Sequence, residues 1–203
     1  MKISKIQIPQ FVKTLAVVTP LVMASSFSKA QTVEQDSDIF VKSNKISLTD
    51  IPASRLESQP IKVGEERIYP AVLVDLSEGI LYHYDLECYL IDAYPIASGK
   101  KSTPTKPGLR KISHIEQYPY DKAPKSTKRY KNPDDYGPYV VCLQNIDMKT
   151  GEVIGSDGQF IHGTNQPNSI GKKVSKGCVR LHNKDVEELV DNLYKNQYVL
   201  VQE

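Results

Sequence analysis

A cysteine at position 178 and a histidine at position 162 supply the two groups that nucleophilic acyl transfer needs, a sulfur that attacks and an imidazole that takes its proton. A free thiol titrates near about 8.5 and attacks only as thiolate, so at neutral pH it needs a neighbouring base or positive charge. His162, Lys176 and Arg180 are the nearby residues that meet this need. One Cys and one His in a chain of 203 residues usually pack as a small hydrophobe and a structural imidazole. The local context argues otherwise. Ser175-Lys176-Gly177 reads as a tight polar turn, an unusual setting for a core thiol. His162 follows the apolar pair Phe160-Ile161, which reads as the end of a strand, and opens a stretch rich in Gly, Asn and Pro.

Several elements must hold these residues in place. Residues 71–76, 80–85 and 89–96 carry the alternation and β-branched content of strands, with turns at 77–79 and 85–87, so a meander is predicted. Residues 111–136 show weak periodicity and many Lys, Tyr, Pro and Asp, the composition of a long connection that covers a site or stays disordered. Beyond the cysteine, Asn183 is the predicted N-cap of a helix with Asp185 and Glu187 in its first turn. Val186, Leu189, Val190, Leu193 and Tyr194 fall on one face of that helix as core residues, and 198–201 form a closing strand. The expected fold is mainly β, with one clear C-terminal helix packed on the sheet.

Composition bounds the organisation and the partners. With 39% hydrophobic and 25% charged residues the chain has ordinary globular content, enough for one modest catalytic domain, placed at 70–203. Residues 31–69 are polar, hold Pro52 and Pro60, and read as a tail or linker with an added strand near 42–48. A net charge of +2, with basic residues scattered except at Lys100-Lys101 and 122–131, leaves no footprint for nucleic acid. Lys2, Lys5 and Lys13 precede an apolar run at 15–24, and Ser28-Lys29-Ala30 offers small residues for a cut after Ala30. Residues 1–30 therefore read as an export signal, and the protein as exported to the periplasm or cell wall. The run contains Pro20 and is well short of the ~20 residues that span a bilayer, so no stable membrane anchor is expected.

Three cysteines in an exported chain leave one unpaired, and Cys178 is the candidate free thiol. Cys88 and Cys142 sit in strand-like apolar runs and either pair as a disulfide or stay as two buried thiols. No pair of Cys or His residues has the short spacing of zinc ligands apart from Cys178 and His182, which stand alone, so neither a metal nor a cofactor is expected.

The motifs resemble the L,D-transpeptidases of the YkuD family, cysteine enzymes that cross-link bacterial peptidoglycan. The family signature is His-Gly, about fifteen residues, then Ser-x-Gly-Cys, an aliphatic residue, and Arg or Asn. His162-Gly163-Thr164 and Ser175-Lys176-Gly177-Cys178-Val179-Arg180 match it, with Asn183 and Asp185 further on. Lys176 stands where many members have a histidine, as in the Ser-Lys-Gly-Cys subgroup. Upstream, Tyr94 to Gly99, Thr103-Pro104-Thr105 and Gly137-Pro138 extend the likeness over roughly residues 70 to 203, and Gly108-Leu109 departs from the usual Gly-aromatic pair.

The resemblance implies a YkuD-like β-sandwich or meander and a role in cell wall biogenesis and cell shape. It implies that Cys178 accepts an acyl group from a tetrapeptide stem with loss of its terminal D-amino acid. His162 would then be the general base, oriented by the carbonyl of Gly163, and the thioester would pass to an acceptor amine. The turn itself suggests the backbone amides of Gly177 and Cys178 as oxyanion donors. Arg180 suits a substrate carboxylate, as does Lys176. Asn165, Ser175 and Thr164 are further candidates for positioning substrate. Peptidoglycan stem peptides and carbapenem inhibitors are the implied ligands. The same residues would serve an L,D-carboxypeptidase, a cross-link hydrolase with water as acceptor, or a transpeptidase attaching a protein to the wall. A sortase fits the Ser175-Lys176-Gly177-Cys178 element poorly, and a non-catalytic wall-binding module would not need the intact Cys and His.

Overall fold

Short runs of branched and aromatic residues between Gly, Pro and Asp turns dictate a sheet, and thirteen strands form among the described residues. The structure, a computed structural model, describes residues 46–119 and 125–203; the export signal, the start of the polar segment and Lys122 lie outside them. In chain order the elements are β1 (Ile61–Val63), β2 (Glu66–Ile68), β3 (Val72–Asp75), β4 (Ile80–Tyr84), β5 (Leu90–Pro95), β6 (Ser98–Gly99), β7 (Gly108–Gln117), α1 (Lys128–Lys131), β8 (Tyr139–Ile146), β9 (Val153–Gly155), β10 (Phe160–His162), β11 (Lys173–Ser175), β12 (Val179–Arg180), α2 (Asn183–Val190) and β13 (Tyr198–Gln202). Nine strands make one sheet, in the order β12-β10-β8-β7-β13-β3-β4-β5 with β9 beside β8. The pairs β10 with β12 and β13 with β3 are parallel, the rest antiparallel. The predicted meander is present as β3, β4 and β5.

Pleating sends alternate residues to opposite faces, and here both faces are apolar. Val72, Val74, Leu81, Tyr94, Ile112, Val141, Ile161 and Val199 line one face, where Val186 and Leu189 of α2 and Leu193 beyond it complete the main core. Leu73, Tyr82, Tyr84 and Ala93 line the other, covered by Ile51 and Ile46. Further along, Leu109 and Ile146 are covered by Val63 of the β1–β2 hairpin. The stretch expected as tail or linker therefore supplies, from residue 46 onward, the cover for a second apolar face, with 3-10 turns at Leu48–Asp50 and Ala53–Arg55 and no strand at 46–48.

Other expectations need correction. Strand β7 runs through the sequence read as irregular; its buried Arg110 and Glu116 interrupt the apolar alternation by which strands are recognised. Helix α2 begins with Asn183 as its first residue and His182 at the cap, and no side chain caps it. It ends at Val190, so Tyr194 lies outside the helical spacing and is 57% exposed. Cys88 occupies the turn before β5 with φ of 71°, not a strand, while Cys142 is buried in β8. All three cysteines are free thiols.

Asp75 ties the cover segment to the sheet. Its Oδ1 accepts from the Ser77 amide at 3.0 Å, the Ser77 hydroxyl at 2.7 Å and the Glu78 amide at 2.9 Å. Its Oδ2 accepts from Arg55 at 2.6 Å and from Gln202 of β13 at 3.0 Å. Burial alone would raise this carboxyl, but the Glu78 amide, Gln202, Ser77 and the Arg55 charge hold it below the usual carboxylate range. A group so depressed stabilises the fold above its unfolded value of about 3.9, and that contribution disappears as pH falls through the lower folded value. Asp75→Ala is expected to cost about 3 kcal/mol, because it leaves the Ser77 and Glu78 amides without this acceptor and Arg55 with only its longer bond to Glu78 at 3.3 Å. Urea denaturation at pH 7 checks this, and a loss below about 1 kcal/mol would show that water replaces the carboxylate without penalty.

Candidate active site

The parallel ladder of β10 with β12 brings the two sequence-distant reactive residues together. Ile161 pairs with Val179 and His162 with Arg180, so His162 ends β10 beside the last residue of β12, and Cys178 immediately precedes the first residue of β12. Ile161 points into the core with no exposure, which by alternation turns His162 to the opposite face. The cysteine turn is shaped by Ser175, whose Oγ accepts from the Gly177 amide at 3.0 Å and donates to the Cys178 carbonyl at 2.6 Å. Gly177 has φ of 114°, a conformation that side chains disfavour, and a Cβ there would approach Gln159 Nε2 to 2.8 Å.

Gln159 in turn is held by the Thr-Pro-Thr segment. Its Nε2 donates to the Pro104 carbonyl at 3.1 Å, and its Oε1 accepts from the Lys106 amide at 3.0 Å and from Arg110 at 3.2 Å. Thr105 Oγ1 accepts from the Gly99 amide at 2.8 Å, while Thr103 Oγ1 and the Lys100 amide donate to the Ser175 carbonyl. This segment backs the nucleophile's turn from behind.

His162 is buried at 3% exposure, and its Nδ1 donates to the Gly163 carbonyl at 2.5 Å, leaving Nε2 as the basic nitrogen. The ring of Tyr136 packs on the imidazole with centroids 4.7 Å apart. Burial pushes the imidazole down to about 4; Arg180 adds to this, and the carbonyls of Gly163 and Tyr136 and the Asp135 carboxylate oppose it. Burial also raises the Cys178 thiol above its ordinary value, against the opposing pull of the Phe160 amide and Arg180. Cys178 is half-buried, with Sγ 3.9 Å from the Gly158 carbonyl. At neutral pH the site is thus a neutral thiol beside a neutral imidazole able to accept its proton.

A cleft of about 280 Å³ opens over these residues. Lys100, Lys128, Lys176 and Arg180 border it against a single carboxylate, Asp135. None of the four cations forms an ion pair with a described residue, and the Arg180 guanidinium donates to Gln166 Oε1 at 3.2 Å. Tyr136, Asn165, Gln166 and Val174 complete the wall.

The sequence-predicted residues divide into those that face the cleft and those that build it. Cys178, His162, Lys176, Arg180 and Asn165 face it, Asn165 also donating to Asp135 Oδ1 at 3.1 Å. Ser175 borders the cleft but spends its hydroxyl on the cysteine turn. Thr164 is buried and structural: its amide donates to Asn183 Oδ1 at 2.7 Å and its hydroxyl accepts from the Gln166 amide at 3.1 Å. Asn183 thus closes the histidine loop instead of capping its helix. The Gly177 amide is engaged by Ser175, which leaves the Cys178 amide as the candidate oxyanion donor. Gly163 does not need a positive φ; a Cβ there would lie 2.5 Å from Asn183 Oδ1 and 3.0 Å from Pro138 Cδ, so the demand is for space. Tyr136, Gln159, Gln166, Asp135, Lys100 and Lys128 were not singled out. The reading of 111–136 as a connection that covers a site includes Lys128, Asp135 and Tyr136, and the basic pair Lys100-Lys101 stands out, while Gln159 and Gln166 are marked only by nearness to the His162 segment.

A cysteine turn and a buried histidine lie on adjacent strands of a mainly β sheet under a polar cleft, an arrangement suited to acyl chemistry at a thiol. The model of the L,D-transpeptidase catalytic domain, YkuD, matches residues 69–201, and the chain belongs to that family. The Bacillus subtilis protein YkuD, named as a putative L,D-transpeptidase, is 40% identical over 101 residues, 49% of this chain and 46% of that protein. ErfK/SrfK of Escherichia coli, named as a probable L,D-transpeptidase, is 25% identical over 160 residues, 77% of this chain and 49% of its own length. The chain spans about half the length of the curated relatives it matches. The crystal structure of an Enterococcus faecium L,D-transpeptidase shares the fold, with TM-score 0.50 and 21% identity over 66% of this chain and 49% of that one.

The electrostatics predict a pH profile. With the imidazole titrating near about 4 and the thiol above its ordinary value, alkylation of Cys178 by iodoacetamide should rise steadily from pH 6 to pH 9. No plateau should begin near 6.5. Mass-spectrometric rates at Cys178 test this, and a plateau from pH 6.5 would mean a preformed thiolate–imidazolium pair.

Proposed function

We propose that this protein is a peptidoglycan L,D-transpeptidase that forms cross-links by cysteine acyl transfer. The observation that carries the reading is the neutral Cys178 and His162 pair in a cleft bordered by four cations that have no ion-pair partner among the described residues. In this mechanism the His162 Nε2 takes the thiol proton as Sγ attacks the donor carbonyl of a tetrapeptide stem. The Cys178 amide stabilises the oxyanion, and the imidazolium protonates the departing terminal D-amino acid. An acceptor amine, such as the side chain of diaminopimelate, then gives its proton to His162 and displaces the thioester, restoring the thiol. Arg180, with Lys100, Lys128 and Lys176 around it, suits the free carboxylates of the stem.

Water as acceptor would turn the same site into a carboxypeptidase or hydrolase, and a protein amine would make it a wall-attachment enzyme; the acceptor found in the products decides. The reading also places the protein in the periplasm or cell wall, supported by the sequence of residues 1–30. No helix among the described residues is long and apolar enough to cross a membrane. N-terminal sequencing of the protein recovered from the envelope should begin at Gln31, and recovery with Met1 retained in the cytoplasm would overturn the placement.

Purified protein incubated with tetrapeptide stems should yield cross-linked dimers and free terminal D-amino acid. Cys178→Ser and His162→Ala should each lower the rate by roughly three orders of magnitude with the fold retained. A carbapenem presents a strained carbonyl beside a carboxylate, so intact mass spectra should show its adduct on the wild type and none on Cys178→Ser. Near-wild-type turnover by either variant, or stem hydrolysis without dimer, would remove the transpeptidase assignment.

A further inference from the structure

Glu116 is a buried acid in the centre of the sheet, 1% exposed, with no role in the chemistry described above. Register places it on the catalytic face: Glu116 lies opposite Val140, and Val140 lies opposite His162, so the acid and the base share one face two strands apart, about 10 Å between backbones. Arg129 of α1 reaches down to it in a fork, Nε to Oε2 at 2.6 Å and Nη2 to Oε1 at 2.9 Å. Its guanidinium lies 5.1 Å from the Phe160 ring, two residues before His162. Tyr118 donates to Oε2 at 2.7 Å, and His114 Nε2 lies 3.1 Å from Oε1. Cys142 completes a set of ligand-type atoms within 4.8 Å of one another, but both carboxylate oxygens are engaged and the Arg129 charge opposes a cation.

Among the described residues, the other ties of the segment that carries Arg129 lie at its far end, where Asn165 donates to Asp135, Tyr136 packs on His162 and the Pro138 carbonyl accepts from the Tyr118 amide. Helix α1 has four residues and the 3-10 turn Pro133–Tyr136 has four, and neither buries a residue. Helices this short do not persist without tertiary anchoring. Exposed ion pairs contribute little, but here the side chains are 13% and 1% exposed and joined by two hydrogen bonds, the geometry in which removing one partner is costly. From this anchor the chain continues to Asp135 and to Tyr136, which packs on His162, and Lys128 beside Arg129 borders the cleft.

We propose that Arg129 and Glu116 are positioning residues for the active site: their buried pair seats residues 125–138 on the sheet, so that Tyr136 shields His162 and Lys128 and Asp135 form one wall of the cleft. Loss of the pair leaves the nucleophile and base in the sheet but opens the cover above them. Two quantities then move in opposite directions. Cys178 becomes more accessible to a small reagent, while the misplaced wall slows acyl transfer from a stem that must be held in register.

The test compares Arg129→Met, the double variant Glu116→Gln with Arg129→Met, and Arg129→Lys. The double variant leaves no unpaired buried charge, and so stays folded if the single one does not. Site-resolved alkylation by iodoacetamide, with Cys88 in its distant turn as internal reference, should be severalfold faster at Cys178 in both Met variants. Their kcat for dimer formation should fall about tenfold or more, with a smaller change in KM. Arg129→Lys, which keeps the charge without the fork, should fall between them and wild type. Equal rates at Cys178 and equal kcat overturn the proposal, and so does a lowered Tm with alkylation and turnover falling together, the pattern of a purely structural pair. Turnover rests on the transpeptidase reading, but alkylation does not. A wild type inactive on stems refutes that reading and leaves the accessibility comparison to decide this one.

Discussion

Two residues of parallel strand pairing, Ile161 with Val179 and His162 with Arg180, are the contact on which the active site depends. Sixteen residues separate His162 from Cys178 in sequence, and no local structure could bring them together. The pairing holds because Ile161 and Val179 are both buried in the main core, so that slipping the register by one residue would exchange them for His162 and Arg180. Chemistry and core packing are thus enforced by the same hydrogen-bond ladder. The strand at the sheet edge, β12, is only two residues long, and it is kept in place on its other side by reciprocal backbone bonds between Ala97 and Arg180.

Burial sets the electrical state of the site. A buried imidazole whose Nδ1 is committed to a backbone carbonyl is neutral over the physiological range, and a half-buried thiol is protonated beside it. Such a pair forms its charges only during attack, when the cations at the cleft and the Cys178 amide are the groups available to the developing anion. The supporting residues are layered accordingly. Ser175 and Gln159 shape the turn, Asn183 closes the histidine loop, and the Thr-Pro-Thr segment backs the turn through Thr103 and through Gln159.

Polar side chains in the sheet interior perform the same kind of task elsewhere. Asp75 gathers Arg55, the β3–β4 turn and β13 at one end, while Glu116 gathers Arg129 and Tyr118 near the site. Each is a buried acid whose hydrogen bonds are satisfied by segments that have weak internal structure, the 3-10 turns after residue 46 and the short helix α1. The sheet therefore specifies the position of its own coverings through a few charged contacts as well as through apolar burial.

The amino-acid sequence by itself determined which residues are the candidates for chemistry and much of the sheet. The residue types around His162 and Cys178, the alternation in β3 to β5 and the helical spacing of Val186 and Leu189 are local signals, read without reference to distant partners. Tertiary structure alone decided the rest. Strand β7 escaped recognition because Arg110 and Glu116 are buried in it, and their burial is tolerable only with Asp157, Gln159 and Arg129 from elsewhere in the chain. The stretch from residue 46 became a cover because both faces of the sheet are apolar, which a one-sided alternation rule does not anticipate. Gly163 is required for space, Asn183 serves a loop nineteen residues away, and Tyr136 reaches His162. In each case the deciding contact joins residues far apart in sequence, and its energy depends on solvent exclusion that exists only once the sheet has formed.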